Sequence, residues 1–302
     1  MSFALLRARS APAFLGAAAV LAAASPGNAA PATAELTPPP VAAPEGHRWV
    51  LHEQLSDEFD GDALDSTKWN DQFPGWKGRV PGLFVPEAVS VQDGELQIRV
   101  GVLDPPRGDK KQWTVQCGAV QSKEPVASYG YYEARIRASD VRTSTTFWMK
   151  HRGHGKGADR KSTELDILEC VGNAEKWPGF AKNMMSNTHI EYAPAADGTK
   201  REGLKVGGRS PVGGRVADDF HVYGCWWVNP TTMRFFLDGK EVHTIELPTE
   251  NDPAPMNQPM FLNMVCETYN WEVPPAQENL RDDSRNMARY DYVRVWTLEE
   301  VE

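Results

Sequence analysis

Along most of the chain, apolar residues recur at every second position. Glu95-Leu96-Gln97-Ile98-Arg99-Val100, Tyr132-Glu133-Ala134-Arg135-Ile136-Arg137 and Tyr292-Val293-Arg294-Val295-Trp296 all alternate in this way, which is the period of a half-buried strand. Phe235-Phe236-Leu237 and Lys240-Glu241-Val242-His243 flank Asp238-Gly239, the pairing of strands and turn residues that predicts a β-hairpin. No stretch of a dozen residues carries a sustained apolar stripe at the helical period. Short strands from Trp49 to Trp296, punctuated by Gly, Pro and Asp turns and without intervening helices, predict an all-β sandwich or barrel. One domain of about 250 residues is ordinary for a large sandwich.

The N-terminal segment follows a different pattern. Arg7 and Arg9 precede an apolar run over residues 11–24, and small residues surround Ala29 and Ala30. This is the layout of a secretory signal over residues 1–30, and the run is too short to cross a bilayer as a helix. Residues 31–45 hold Pro31, Pro38, Pro39, Pro40 and Pro44 and read as a stiff extended linker, leaving 46–302 as the folded domain. The expected location is therefore secreted or periplasmic, with no membrane span.

Composition narrows the partners. Of 302 residues, 41% are hydrophobic and 24% charged, which excludes disorder throughout. Thirty-two Lys and Arg against 41 Asp and Glu give a formal charge of −9, which argues against nucleic acid held by bulk charge. Cys117, Cys170, Cys225 and Cys266 lie far apart with no CxxC pair, so metal-finger spacing is absent. Export permits disulfides, and each cysteine serves equally well as a small buried apolar residue. No Gly-x-Ser-x-Gly elbow and no phosphate-binding glycine loop occurs.

One hexapeptide concentrates the chemistry. In Glu164-Leu165-Asp166-Ile167-Leu168-Glu169, a regular strand points Glu164 and Asp166 to one face and Glu169 to the other. A one-residue bulge at Ile167-Leu168 would return Glu169 to the face of the other two. Three carboxylates on one face repel, so at least one pKa rises. A protonated acid beside an ionised one is the arrangement that glycoside hydrolysis requires.

The hexapeptide resembles the Glu-x-Asp-x-x-Glu strand of glycoside hydrolase family 16. Further resemblances run along nearly the whole chain after the signal: Ser56-Asp57-Glu58-Phe59-Asp60-Gly61, Leu64-Asp65-Ser66-Thr67-Lys68-Trp69, Val89 to Leu96, Tyr129-Gly130-Tyr131-Tyr132-Glu133-Ala134-Arg135, and Tyr290 to Val295. The resemblance implies a β-jelly-roll of two curved antiparallel sheets with a cleft on the concave face, retention of configuration, and no cofactor for catalysis. It implies Glu164 as nucleophile, Glu169 as general acid/base and Asp166 as the residue that orients or tunes the nucleophile. It also implies a structural calcium held by Glu58, the Gly94 carbonyl and Asp291, all oxygen ligands of the kind calcium takes.

A cleft for several sugars needs aromatic platforms for their C–H faces. The candidates among ten tryptophans are Trp76, Trp148 and Trp271, while alternation puts at least one of Trp226 and Trp227 in the core. His189 and Glu267 are expected as polar sugar contacts. The segments 76–87, 187–189, 217–224 and 267–271 resemble the red-algal galactanases of the family, the β-agarases and β-porphyranases. The porphyranase pattern pairs Trp-x-x-Arg with a second Arg after the strand Trp, both serving a sulfate. Trp76-x-x-Arg79 matches the first element, whereas Lys150 and Arg152 follow Trp148 at the second, and Lys is a point charge without the guanidinium fork. The expected substrate order is agarose, porphyran, then κ-carrageenan. An expectation of another class is a non-catalytic carbohydrate-binding jelly roll. The partner is a polysaccharide, and the chain is expected to act as a monomer.

Overall fold

The computed structural model describes residues 36–125, 127–153 and 160–301. The expected signal, residues 1–30, lies outside them, and so does the first part of the expected linker. Residues from Pro38 onward form one compact unit. Pro39 is buried and the Val41 carbonyl accepts a 2.8 Å hydrogen bond from Trp49 Nε1, so the second part of the expected linker lies on the folded body.

Two antiparallel sheets face one another, as the alternating segments predict. The site sheet runs in the order Leu204–Pro211, Asn183–Tyr192, Lys161–Val171, Ser144–His151, Phe261–Glu267, Trp113–Ser122 and Trp69–Asn70. Gly82–Phe84 and Gly101–Arg107 also pair with Trp113–Ser122. The backing sheet runs Lys240–Glu246, Thr232–Leu237, His221–Trp227, Gly130–Arg137, Met287–Glu300, Glu95–Arg99 and Val89–Gln92, with His47–Leu51 added beside Met287–Glu300. The described helices are single turns, three of them 3-10 turns, plus Gln277–Leu280. The Asp238-Gly239 hairpin forms with φ of 49° and 76° at its two residues, the left-handed values such a tight turn requires.

Between the sheets, Phe147, Met149, Leu165, Ile167, Leu168 and Ile190 of the site sheet meet Ile136, Tyr223, Cys225, Trp227, Phe235 and Tyr290 of the backing sheet in one core. A smaller cluster of Tyr131, Trp226, Phe236 and Trp296 covers the other face of the backing sheet, with Val41 and Trp49 packed on it. Trp49 stands edge-on to Trp226, with ring centroids 5.7 Å apart. This explains why Trp226 and Trp227 are both buried although alternation sends them to opposite faces: each face has its own apolar cover. All four cysteines are buried free thiols, the small-apolar use of the residue. No helix among the described residues is long and apolar enough to cross a membrane.

Candidate active site

The strand of the three acids, Lys161–Val171, carries the bulge that the hexapeptide calls for. Glu164, Leu165 and Asp166 pair with Lys150, Met149 and Trp148 on one side, and then Leu168 pairs with Phe147, so one residue is inserted. The ladder to Asn183–Tyr192 slips by the same step between Asp166 and Glu169. Ile167 and Leu168 are both fully buried in the core, whose apolar contacts hold the extra residue inward. Glu169 therefore returns to the face of Glu164 and Asp166. Those three carboxylates line a pocket with Trp76, Arg79, Thr146, Trp148, Glu267 and Tyr269.

Cross-strand register arranges the floor in rows. Glu164 lies between Lys150 and His189, Asp166 between Trp148 and Asn187, and Glu169 between Thr146 and Met185. Lys150 Nζ donates to Glu164 Oε2 at 2.7 Å. His189 Nε2 lies 3.4 Å from Asp166 Oδ2 and 3.9 Å from Glu164 Oε1. Glu169 accepts from Asn187 Nδ2 at 2.9 Å and from the Tyr269 hydroxyl at 2.7 Å. Glu164 and Glu169 thus have separate hydrogen-bond partners, while Asp166, the most buried of the three, lies between them.

Electrostatics separates the acids further. Burial, and then the charge of Glu164, pushes the Asp166 carboxyl up to about 7, against the pull of its bond to His189. The same bond raises the His189 pKa, opposed by burial. Both shifts favour a proton on the Asp166–His189 pair beside Glu164, which lowers the net negative charge crowded on that face. Burial raises Glu267 to about 7 as well, with the Arg79 guanidinium pulling the other way.

Arg79 enters the pocket on the loop between Trp69–Asn70 and Gly82–Phe84. Its guanidinium pairs with Glu267 and sits 5.0 Å from the Trp76 ring centroid and 5.3 Å from that of Tyr269. Thr268 Oγ1 donates to the Arg79 carbonyl at 2.6 Å. Gly82 permits this contact, because a Cβ there would meet Thr268 Oγ1 at 2.5 Å and Cys117 Sγ at 2.7 Å. Phe73 and Phe84 pack against Trp76, each with its ring centroid 5.1 Å away, and Trp148 meets Trp76 edge-on.

Several expected sugar contacts take other positions. Lys150 is bonded to Glu164, His189 bridges Asp166 and Glu164, and Glu267 is 4% exposed behind Arg79. Trp271 does not line the pocket. It stacks on Tyr269 at 4.5 Å and meets Phe180 at a tilt, 4.8 Å between ring centroids, because the chain turns after Glu267 and presents Tyr269 first. Tyr269, Asn187 and Thr146 complete the site without having been singled out. Asn187 shares the parity of His189, so strand alternation could have found it. Tyr269 lies past the strand end, where no period applies.

The expected calcium ligands do not fit a cation as folded. Both Glu58 oxygens accept from Arg294, at 2.7 and 2.8 Å, and Asp291 Oδ2 accepts from Arg135 at 2.9 Å. Guanidinium groups hold both Glu58 oxygens and one Asp291 oxygen that calcium would need. Among the described residues, the group of His, Cys, Asp or Glu donors close enough to share an ion is Glu164, Asp166 and His189, and these are committed to one another and to Lys150.

Comparison with known proteins decides the family. The family model for the glycoside hydrolase family 16 domain of β-porphyranases A–D matches residues 49–298. The chain belongs to this family. It is a glycoside hydrolase with the family's jelly-roll fold. It is 46% identical to β-porphyranase E of Zobellia galactanivorans over 256 residues, covering 84% of this chain and 90% of that one. A crystal structure of a β-porphyranase from the human gut bacterium Bacteroides plebeius superposes with a TM-score of 0.77 at 36% identity, covering 87% of this chain and 96% of the other. β-Agarase A of Zobellia galactanivorans is more distant, 26% identical over 281 residues that cover 86% of this chain and 48% of its own length.

Proposed function

We propose that this family 16 hydrolase is a secreted, retaining endo-β-porphyranase that cleaves β-1,4 linkages by double displacement. The observation that carries the reading is Arg79, whose guanidinium lines the catalytic pocket between Trp76 and Tyr269. A planar fork of donors suits the oxygens of a sulfate ester. Glu164 attacks the anomeric carbon while Glu169 protonates the departing glycosidic oxygen. Glu169 then takes a proton from water, which displaces Glu164 and restores the starting configuration. Asn187 and Tyr269 hold Glu169 through its two changes of role. Trp76 and Trp148 supply apolar faces for the sugar rings. Export is supported by the basic start, apolar run and small residues of positions 1–30.

The sequence order of agarose before porphyran reverses in this reading, because the porphyranase family match and the placement of Arg79 both favour the sulfated galactan. Two observations favour agarose as the second reading: Lys150 is spent on Glu164, and Glu267 partly neutralises Arg79. Product analysis by mass spectrometry on agarose, porphyran and κ-carrageenan, with Arg79→Ala alongside, tests the choice. Porphyran is expected to be cleaved fastest, with Arg79→Ala losing roughly tenfold more on porphyran than on agarose. Rapid cleavage of agarose with porphyran untouched would overturn the reading.

A further inference from the structure

The edge strand of the site sheet, Leu204–Pro211, carries two cations that the catalytic groups leave unused. Lys205 stands opposite His189 and Arg209 opposite Met185, with Gly207 between them opposite Asn187. The residues of other parity face the backing sheet: Ser210 Oγ lies 2.9 Å from His243 Nδ1, and a Cβ on Gly208 would meet His243 Cδ2 at 2.5 Å. Lys205, Gly207 and Arg209 therefore share the face of the catalytic carboxylates. Gly207 supports the same assignment, since a Cβ there would meet Asn187 Oδ1 at 2.5 Å and displace the amide that bonds Glu169.

Register places both cations in the catalytic rows. One row runs Lys205, His189, Glu164, Lys150, and the other runs Arg209, Met185, Glu169, Thr146. Each cation is two strand spacings, about 10 Å, from a catalytic carboxylate. That is too far to touch the reacting bond and near enough to meet a neighbouring sugar. Both are exposed, and no carboxylate among the described residues pairs with either. The charge of Lys205 is felt at His189, where it opposes protonation. The pocket itself holds four acids, Glu164, Asp166, Glu169 and Glu267, and its Arg79 is paired with one of them, so cations beyond it are needed to favour a polyanion.

We propose that Lys205 and Arg209 form an anion-reading rim that holds a sulfate ester on a sugar beyond the cleaved bond. The inference rests on the reading of a sulfated galactan as substrate. Arg209 offers forked donors and Lys205 a point charge, about 13 Å apart along the strand with the bare Gly207 floor between them.

The test measures kcat and KM for the wild type and for Lys205→Gln, Arg209→Gln and the double variant. The substrates are sulfated galactan oligosaccharides and the same oligosaccharides stripped of their sulfate esters, each at low and high ionic strength. The double variant is expected to lose roughly tenfold in kcat/KM on the sulfated set. The loss should come through KM, with a weaker salt dependence and no change on the stripped set. Equal loss on both sets, or no loss on either, overturns the rim. A wild type that leaves the sulfated set uncleaved overturns the substrate reading, and the rim with it, before any variant is compared.

Discussion

Lys150 Nζ lies 2.7 Å from Glu164 Oε2, so the cation that follows the strand tryptophan rests on the carboxylate proposed to attack the sugar. Its charge stands against the repulsion among Glu164, Asp166 and Glu169, and its hydrogen bond fixes the direction of the Glu164 carboxylate. Lys150→Met is expected to lower kcat about tenfold on sulfated and neutral galactan alike, with little change in KM. Steady-state kinetics on both substrates checks this. A rise in KM confined to the sulfated substrate would show instead that Lys150 reads sulfate.

Tyr269 donates to Glu169 Oε1 at 2.7 Å from beyond the end of its strand. A hydrogen bond to a charged group contributes about 1.5–3 kcal/mol. Tyr269→Phe keeps the ring that stacks on Trp271 and sits near Arg79 while removing that bond. The expected result is a fall in kcat of about tenfold or more with an unchanged Tm. Calorimetry beside single-turnover kinetics separates the two effects.

Deleting Ile167 removes the inserted residue of the bulge. The acids then alternate regularly along Glu164-Leu165-Asp166-Leu168-Glu169, so Glu169 stays on the face of Glu164 and Asp166 with Thr146 still opposite it. Turnover at equal folded fraction is expected to fall by no more than about tenfold, while stability falls because a fully buried side chain is lost. Ile167→Ala, which trims the side chain but keeps the bulge, should likewise retain much of the activity, because this side chain packs in the core and faces away from the acids. Rates of the deletion and of Ile167→Ala, compared at equal folded fraction by circular dichroism, decide the point.

Asp166 ties stability to pH. Its folded pKa, about 7, stands above the ordinary 3.8, so the folded state holds the proton more tightly than the unfolded chain. The resulting stabilisation is fully present below about pH 4 and is lost as pH rises through about 7. Asp166→Asn removes this dependence. At pH 8 its Tm should exceed that of the wild type by about 2–4 °C, with no such gain at pH 4, while activity falls. Thermal scans at the two pH values test it, and a gain of the same size at both would contradict the assignment.

Much of this enzyme was legible in its sequence, for physical reasons that particular residues make plain. Alternation in 95–100, 132–137 and 292–296 predicts strands because a half-buried sheet has a period of two. The Asp238-Gly239 pair predicts its hairpin because few other residues accept two left-handed conformations in succession. The spacing of Glu164, Asp166 and Glu169 even implies the bulge, since acids five apart cannot share a face without one.

Contacts between distant segments were not legible. Alternation says which face a residue occupies and is silent on which strand lies beside it. Pairing of Ser144–His151 with Lys161–Val171 puts Lys150 on Glu164, and pairing of Asn183–Tyr192 puts His189 against Asp166. The turn after Phe261–Glu267 delivers Tyr269 in place of Trp271. Glu58 and Asp291 carry oxygens suited to calcium, but packing brings Arg294 and Arg135 to them first. The sequence by itself determined the all-β architecture and the strand that carries Glu164, Asp166 and Glu169, because these follow from local period and spacing. Only the tertiary structure decided what each acid bonds to and which cations line the cleft, because those contacts join residues tens to hundreds of positions apart and depend on strand order and register.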